Sequence, residues 1–204
     1  MEFLPYISKW TEVLLRFAHV FFAITWVGNS YLFNYLDNKM NKNIKNEEVD
    51  VEGILQHSGY YYKLTRYHSA PKEVPNNLII FKWQSYLTFI TGMLLLIIIY
   101  YANANILMID KRVNENITPF MAIVISLASM IASWFIYDLI CKSKLINYKA
   151  VFPIVLLIIG AAISFGLTKI YGSRFAFLST GLILGTIMFM NVWKIIVPNG
   201  KNIT

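Results

Sequence analysis

The sequence predicts an all-α integral membrane protein, a bundle of about five transmembrane helices with one long polar loop after the first. Two observations carry that reading. The chain is 57% hydrophobic and only 14% charged, with a mean hydropathy of +0.53, a combination outside the range of ordinary soluble domains. Its apolar residues also fall into separate runs, each near the roughly 20 residues that a ~30 Å hydrocarbon layer demands.

Those runs lie at 12–36, 83–102, 119–141, 151–169 and 175–197 in a single membrane domain spanning 1–204. The first begins behind the acidic-then-basic start MEFLPYISK and continues too long for a cleavable signal, so it reads as a signal anchor. The connection 38–82 is the one long link, starting with the polar run DNKMNKNIKNEEVDVEG. Helices joined by short links pack antiparallel, neighbour to neighbour, because backbone groups in lipid must be satisfied internally.

The formal charge of +7 does not point to nucleic acid, because the basic residues sit in short segments between apolar runs. Of the 18 Lys and Arg residues, twelve fall on the side of the long loop, the 142–150 link and the tail, and six on the other. That bias predicts a multi-pass membrane protein with its N-terminus outside and the long loop cytoplasmic. The single cysteine, Cys141, leaves no internal disulfide, CxxC metal site or CxxCH site for covalent haem.

The first run, RFAHVFFAITWVGNS, places ionisable groups where the bilayer penalises them. Advancing about 100° per residue from His19, one sector collects Glu12, Trp26, Ser30 and Asp37, with Arg16 at its edge, four residues after Glu12 and in reach of an ion pair. Phe17, Phe21, Phe22, Ile24 and Leu32 point mostly elsewhere, so the polar face is expected to look inward. A neutral imidazole at that depth suits haem iron, a metal or a proton relay, or else a plain interhelical hydrogen bond.

Gln84, Thr88 and Thr91 form a polar stripe on the second helix behind Trp83 and Tyr86, and Ser126, Ser129, Ser133 and Tyr137 form one on the third. Both read as helix-packing contacts, as do Gly160 and Ser164 on the fourth helix and the GxxxG pair Gly181 and Gly185 on the fifth. In the loop, His57 and His68 are eleven residues apart in QHSGYYYKLTRYHSAP, within about 20° of eclipsed on a helix. Tyr61 and Leu64 would share that face, and Pro71 would stop such a helix. A Tyr-rich amphipathic element of this kind serves as an interfacial anchor or as a ligand-binding segment.

The run LLRFAHVFFAITWVGNSYLFNYLDN, followed by HSGYYYKLTRYHSAPKEVP and FKWQSYLTFITGMLLLIIIYY, resembles the membrane domain of the bacterial cytochrome c-linked urate oxidase family. The shared strings are R-x-x-H-x6-W-x-G-x-S, H-x-G, APxxxP and FKWxxY…TGxxLLxxxYY, in that order. NVWKIIVPN looks like the family's later helix end, whereas H-x6-W alone also looks like the membrane haem protein family of protoporphyrinogen oxidases.

The resemblance implies oxidation of urate to 5-hydroxyisourate, with electrons passed to cytochrome c. Carried over by position, the residues at stake are Arg16, His19, Trp26, Gly28, Ser30 and Asp37, then His57, Gly59, Pro71, Pro75, Lys82, Trp83 and Tyr86. His68 lies near Lys63, where the family tends to carry a histidine. Of these, His19, Arg16, Trp26 and Asp37 are the candidate catalytic set, and His19 the candidate ligand of a non-covalent haem b. Ser30, His57, Gly59, His68, Trp83 and Tyr86 are candidates for holding substrate or structure. Family members carry further helices and a haem c domain, so this chain is expected to use a separate cytochrome c, to be a piece of a longer protein, or to have left urate chemistry for a role as a non-catalytic membrane subunit, a haem-binding protein or a small-molecule carrier.

Overall fold

The computed structural model describes residues 3–42, 48–69 and 81–202. Helix α1 (Phe3–Lys39) is followed by the strands β1 (Asn41–Lys42), β2 (Val49–His57) and β3 (Tyr60–Tyr67). The helices α2 (Lys82–Leu95), α3 (Ala104–Leu107), α4 (Pro119–Lys142), α5 (Val151–Leu167), α6 (Ser173–Asn191) and α7 (Val197–Asn202) complete the chain.

Among the described residues, Tyr6–Lys39, Lys82–Tyr101, Pro119–Lys142 and Ser173–Asn199 are long and apolar enough to cross a membrane. Helix α5 is apolar but only 17 residues long, about 26 Å at 1.5 Å per residue and a little short of a ~30 Å hydrocarbon layer. The five expected segments are therefore all helical, four of them at spanning length. The boundaries agree to within a few residues except for α1, which starts near Phe3 rather than residue 12.

Helix order in space differs from helix order in sequence. Helix α6 packs against α2, α4 and α5 and forms the hub of the bundle, while α1 lies along α2 at its edge. Contacts Phe33 to Phe81, Asn29 to Gln84 and His19 to Thr91 run in opposite sequence directions, so α1 and α2 are antiparallel. The tightest packing gathers at the end holding the 102–118 and 168–172 links. There Tyr171, Phe175, Met108, Ile117 and Ala122 are buried, and the Tyr171 hydroxyl donates to the Ala122 carbonyl at 2.9 Å. Capping is local: the Thr118 side chain accepts from the Met121 amide at 3.2 Å, with Pro119 in the first helical position.

The described part of the expected long loop folds as a small sheet, so the chain is not all-α. Residues 41–42, 49–57 and 60–67 build a three-stranded antiparallel sheet in the order β1, β2, β3. The turn Ser58–Gly59 has φ of 51° and 83°, the both-positive pattern of the two-residue turns that match strand twist. Val49 and Val51, at the end of the ribbon far from that turn, are buried. His57 and His68 consequently do not share a helix face. His57 pairs with Tyr60 beside the turn, whereas the His68 amide donates to the Glu48 carbonyl at the opposite end of the ribbon, about 25 Å away at 3.3 Å per residue. The run VDVEGILQH alternates in the strand period and TYR-rich YYYKLTRY has strand composition, which outweighs the helical spacing of the two histidines.

The sheet is tied to α1 by charge. Arg66 donates from Nη1 to Asp37 Oδ1 at 2.7 Å and from Nε to Asp50 Oδ2 at 3.0 Å. Pro71, Pro75 and the rest of the 70–80 segment lie outside the described residues.

Candidate functional site

Three of the residues singled out on α1 meet at one cavity. Arg16, His19 and Trp26 line a space of about 460 Å³ together with Thr88, Phe89, Gly92 and Tyr100 from α2 and its continuation and Gly181, Gly185 and Thr186 from α6. Helical spacing puts the α1 residues on one face, and the antiparallel crossing with α2 turns that face into the bundle. The volume is that of a small-molecule site, and the lining is mostly apolar with a few convergent polar groups.

His19 is the best-defined polar group there. Its Nδ1 lies 3.0 Å from the Thr88 carbonyl oxygen and 3.2 Å from Thr91 Oγ1. A carbonyl only accepts, so Nδ1 carries the proton and donates, which leaves the Nε2 lone pair available. The imidazole can sit so close because residue 92 has no side chain: a Cβ on Gly92 would meet His19 Cε1 at 2.9 Å. Thr88 and Thr91 are buried, and Thr91 Oγ1 also donates to the Leu87 carbonyl at 2.6 Å. The stripe on α2 is thus the cradle of His19 as well as a packing surface.

Arg16 forms the expected ion pair, its Nε and Nη2 reaching Glu12 Oε1 at 2.9 and 2.6 Å. Its side chain is 54% exposed, which places a cation at the mouth of the cavity rather than at its floor. Trp26, half-buried, brings an aromatic face to the opposite end on the same helix. The cavity wall on α6 is flat because Gly181 and Gly185 expose backbone, and a Cβ at either would meet nothing within 4 Å. These two glycines open space instead of closing a helix interface. Beside them, α2 leaves regular α geometry: over Leu96–Tyr101 the hydrogen bonding widens to i→i+5, with the Ala102 amide on the Ile97 carbonyl at 2.9 Å. Such insertions are frequent at functional sites.

The remaining candidates lie elsewhere. Ser30 donates to the Trp26 carbonyl of its own helix at 3.1 Å and is exposed. Asp37 holds Arg66 and belongs to the clamp between α1 and the sheet. His57 and Gly59 are at the hairpin turn, and His68 is at its base. Trp83 and Tyr86 pack edge to face at 5.8 Å near the start of α2, with Lys82 Nζ 5.9 Å from the Trp83 ring. Thr88, Thr91, Gly92, Gly181 and Gly185 took no chemical role in the sequence reading, although the spacing TxxTG across from His19 was visible.

A family model described as urate oxidase N-terminal matches residues 5–204. The chain belongs to that family. No curated protein and no solved structure matches it. The matched range contains the hairpin and every residue that lines the cavity.

The residues also bear on a haem. No group of three His, Cys, Asp or Glu side chains converges among the described residues. His19, through its free Nε2, and Arg16, through its guanidinium, are the residues that would hold a non-covalent haem b at this mostly apolar cavity, and the group would supply one-electron redox chemistry there.

Proposed function

We propose that this chain is a membrane-embedded urate oxidase domain that converts urate to 5-hydroxyisourate in the α1/α2/α6 cavity and passes the electrons to a separate cytochrome c. The observation that carries the proposal is the pinned His19, whose Nε2 is left for the cavity between a cation and an aromatic ring in a chain of this family.

Urate at neutral pH is a planar monoanion. Arg16 holds its charge, with Glu12 keeping the guanidinium extended toward the mouth, and Trp26 stacks on its face. His19 Nε2 accepts a proton from the purine nitrogen or from the water that adds at C5. The Thr88 carbonyl stabilises the imidazolium so formed through Nδ1–H. Counted on the neutral purine, urate and one water give 5-hydroxyisourate, two protons and two electrons. A haem b held by His19 and Arg16 would supply a one-electron acceptor; an imidazole bound to iron would then no longer serve as the base.

The long apolar helices support a multi-pass location in the bacterial inner membrane, and the Lys and Arg bias supports a cytoplasmic hairpin. Membranes containing this chain should reduce added ferric cytochrome c only when urate is supplied. His19→Gln is expected to lower that rate by about 10²- to 10⁴-fold, the usual weight of a general base. A Soret band lost in His19→Ala would assign His19 to haem instead. Urate uptake without any reduction would replace the oxidase reading with that of a carrier.

A further inference from the structure

We infer that Tyr100 is a further substrate-binding residue, its phenol O–H donating to one carbonyl oxygen of the purine and so helping to set which purines the cavity accepts. The inference rests on the reading that urate occupies the cavity.

Tyr100 lines the cavity, and among the described residues its hydroxyl meets no hydrogen-bond partner. The residue beside it makes the contrast, because the Tyr101 hydroxyl donates to Ser126 Oγ at 3.1 Å and is already satisfied. The Tyr100 ring is held in place. It packs on Phe175 with centroids 5.3 Å apart and planes tilted by 45°. Phe175 is fully buried and meets Tyr171 edge-on at 4.8 Å.

The helix distortion explains how this side chain comes to the cavity. With 3.6 residues per turn, Tyr100 would sit about 80° around the helix from Gly92, where His19 lies. The i→i+5 turn over Leu96–Tyr101 takes in an extra residue, which holds back the rotation and returns Tyr100 toward the face of Gly92 and Thr88. A tyrosine near a helix end also suits a membrane–water interface. That role turns the ring out to the headgroups, whereas this ring rests on a buried phenylalanine and faces a cavity inside the bundle.

The other polar groups of the lining have less to give. The Thr88 and Thr186 hydroxyls each donate at 2.7 Å to a carbonyl of their own helix, those of Gln84 and Leu182. Arg16 commits Nε and Nη2 to Glu12, which leaves Nη1. With Trp26 on the face of the purine and His19 Nε2 accepting, the donors at its edge are Arg16 Nη1 and the Tyr100 O–H. Arg16 answers to charge. Tyr100 answers to a neutral oxygen, and urate offers carbonyls at C2, C6 and C8. A purine without the matched oxygen leaves the phenol O–H unpaired, so the contact discriminates as well as binds.

The test measures Kd by calorimetry on the purified full chain, with no electron acceptor present. The ligands are urate and the three purines that each lack one of its carbonyl oxygens: xanthine for C8, and the dioxopurines lacking the C2 or the C6 oxygen. Tyr100→Phe keeps the ring on Phe175 and is expected to raise Kd roughly two- to tenfold for urate and for two of the analogues. Kd for the third analogue, which lacks the matched oxygen, should not change. Tyr101→Phe should leave all four values as in the wild type. Unchanged urate binding in Tyr100→Phe overturns the inference alone, as does equal weakening of all four purines or the same weakening in Tyr101→Phe. A wild type that binds no urate overturns the cavity reading, and the inference with it.

Discussion

At the residue scale, Gly92 and Thr88 decide what His19 can do. A histidine on a membrane helix has two nitrogens of equal standing, and the sequence offers no reason to prefer one tautomer. The Thr88 carbonyl at 3.0 Å removes the ambiguity, and the missing side chain at Gly92 lets the ring approach. In Gly92→Ala the new methyl would begin 2.9 Å from Cε1, so the ring must move and its hydrogen bond lengthens. The net loss should be about 0.5 to 1.5 kcal/mol, the ordinary worth of one such bond. With three histidines in the chain, ¹⁵N-histidine NMR resolves each ring: His19 should show a protonated Nδ1 and bare Nε2 in the wild type and lose that signature in Gly92→Ala. A wild-type spectrum with the proton on Nε2 would remove His19 from the role of base at that nitrogen.

At the element scale, the hairpin is held by one arginine between two carboxylates. The Arg66 guanidinium bonded to Asp50 holds that carboxyl below its ordinary value of 3.8 and pushes the guanidinium itself up. For a carboxylate with a depressed folded value, the stabilising contribution is complete above the unfolded value and is lost as pH falls through the folded one. The clamp should therefore hold at and above pH 4 and release only in stronger acid. Amide exchange of Val51 to Tyr67 should accelerate below that point while the helices remain protected. Asp50→Asn should blunt that acid step, because only the Arg66–Asp37 pair is then left to be lost; protection falling identically in both proteins would show that the Asp50 arm of the clamp does not fasten the sheet. Both groups are well hydrated, so the effect is local rather than a large part of global stability.

The helices were legible because their signal is long and redundant: each apolar run repeats its message over some 20 residues, and the boundaries of the span Lys82–Tyr101 and of α4 fall within one residue of those expected. The sheet was not, since the spacing of His57 and His68 fits a helix and hides the alternation Val49, Val51 and the Ser58–Gly59 turn signal. Half of the site was legible as well. The sector of Glu12, Arg16, His19 and Trp26 follows from a single helix period, whereas membership of Ser30 and Asp37 in that sector carried no information about depth or partner. They share the direction but lie beyond the end of the cavity.

At the scale of the whole molecule, α6 separates what the chain order suggests should touch. As the last long helix it enters the middle of the bundle and meets α2, α4 and α5, so the cavity is closed by residues some 160 positions from Arg16. If α1, α2, α4 and α6 all cross the membrane, the hairpin and the 108–117 link face opposite compartments. In a Cys141→Ser background, Lys63→Cys and Lys111→Cys should label from opposite sides with an impermeant maleimide, Lys111→Cys from outside. Labelling of both from one side would contradict a crossing by α2.

The sequence by itself determined the helical segments, the Glu12–Arg16 pair, the polar face of α1 and the family resemblance, because each depends on neighbours within a turn or on a string of residues in order. Only the tertiary structure decided that His19 donates from Nδ1, that Gly181 and Gly185 open a cavity, and that Asp37 fastens a sheet. Those outcomes depend on which distant backbone atoms arrive beside a side chain, and a helical period fixes a direction without fixing what lies in that direction.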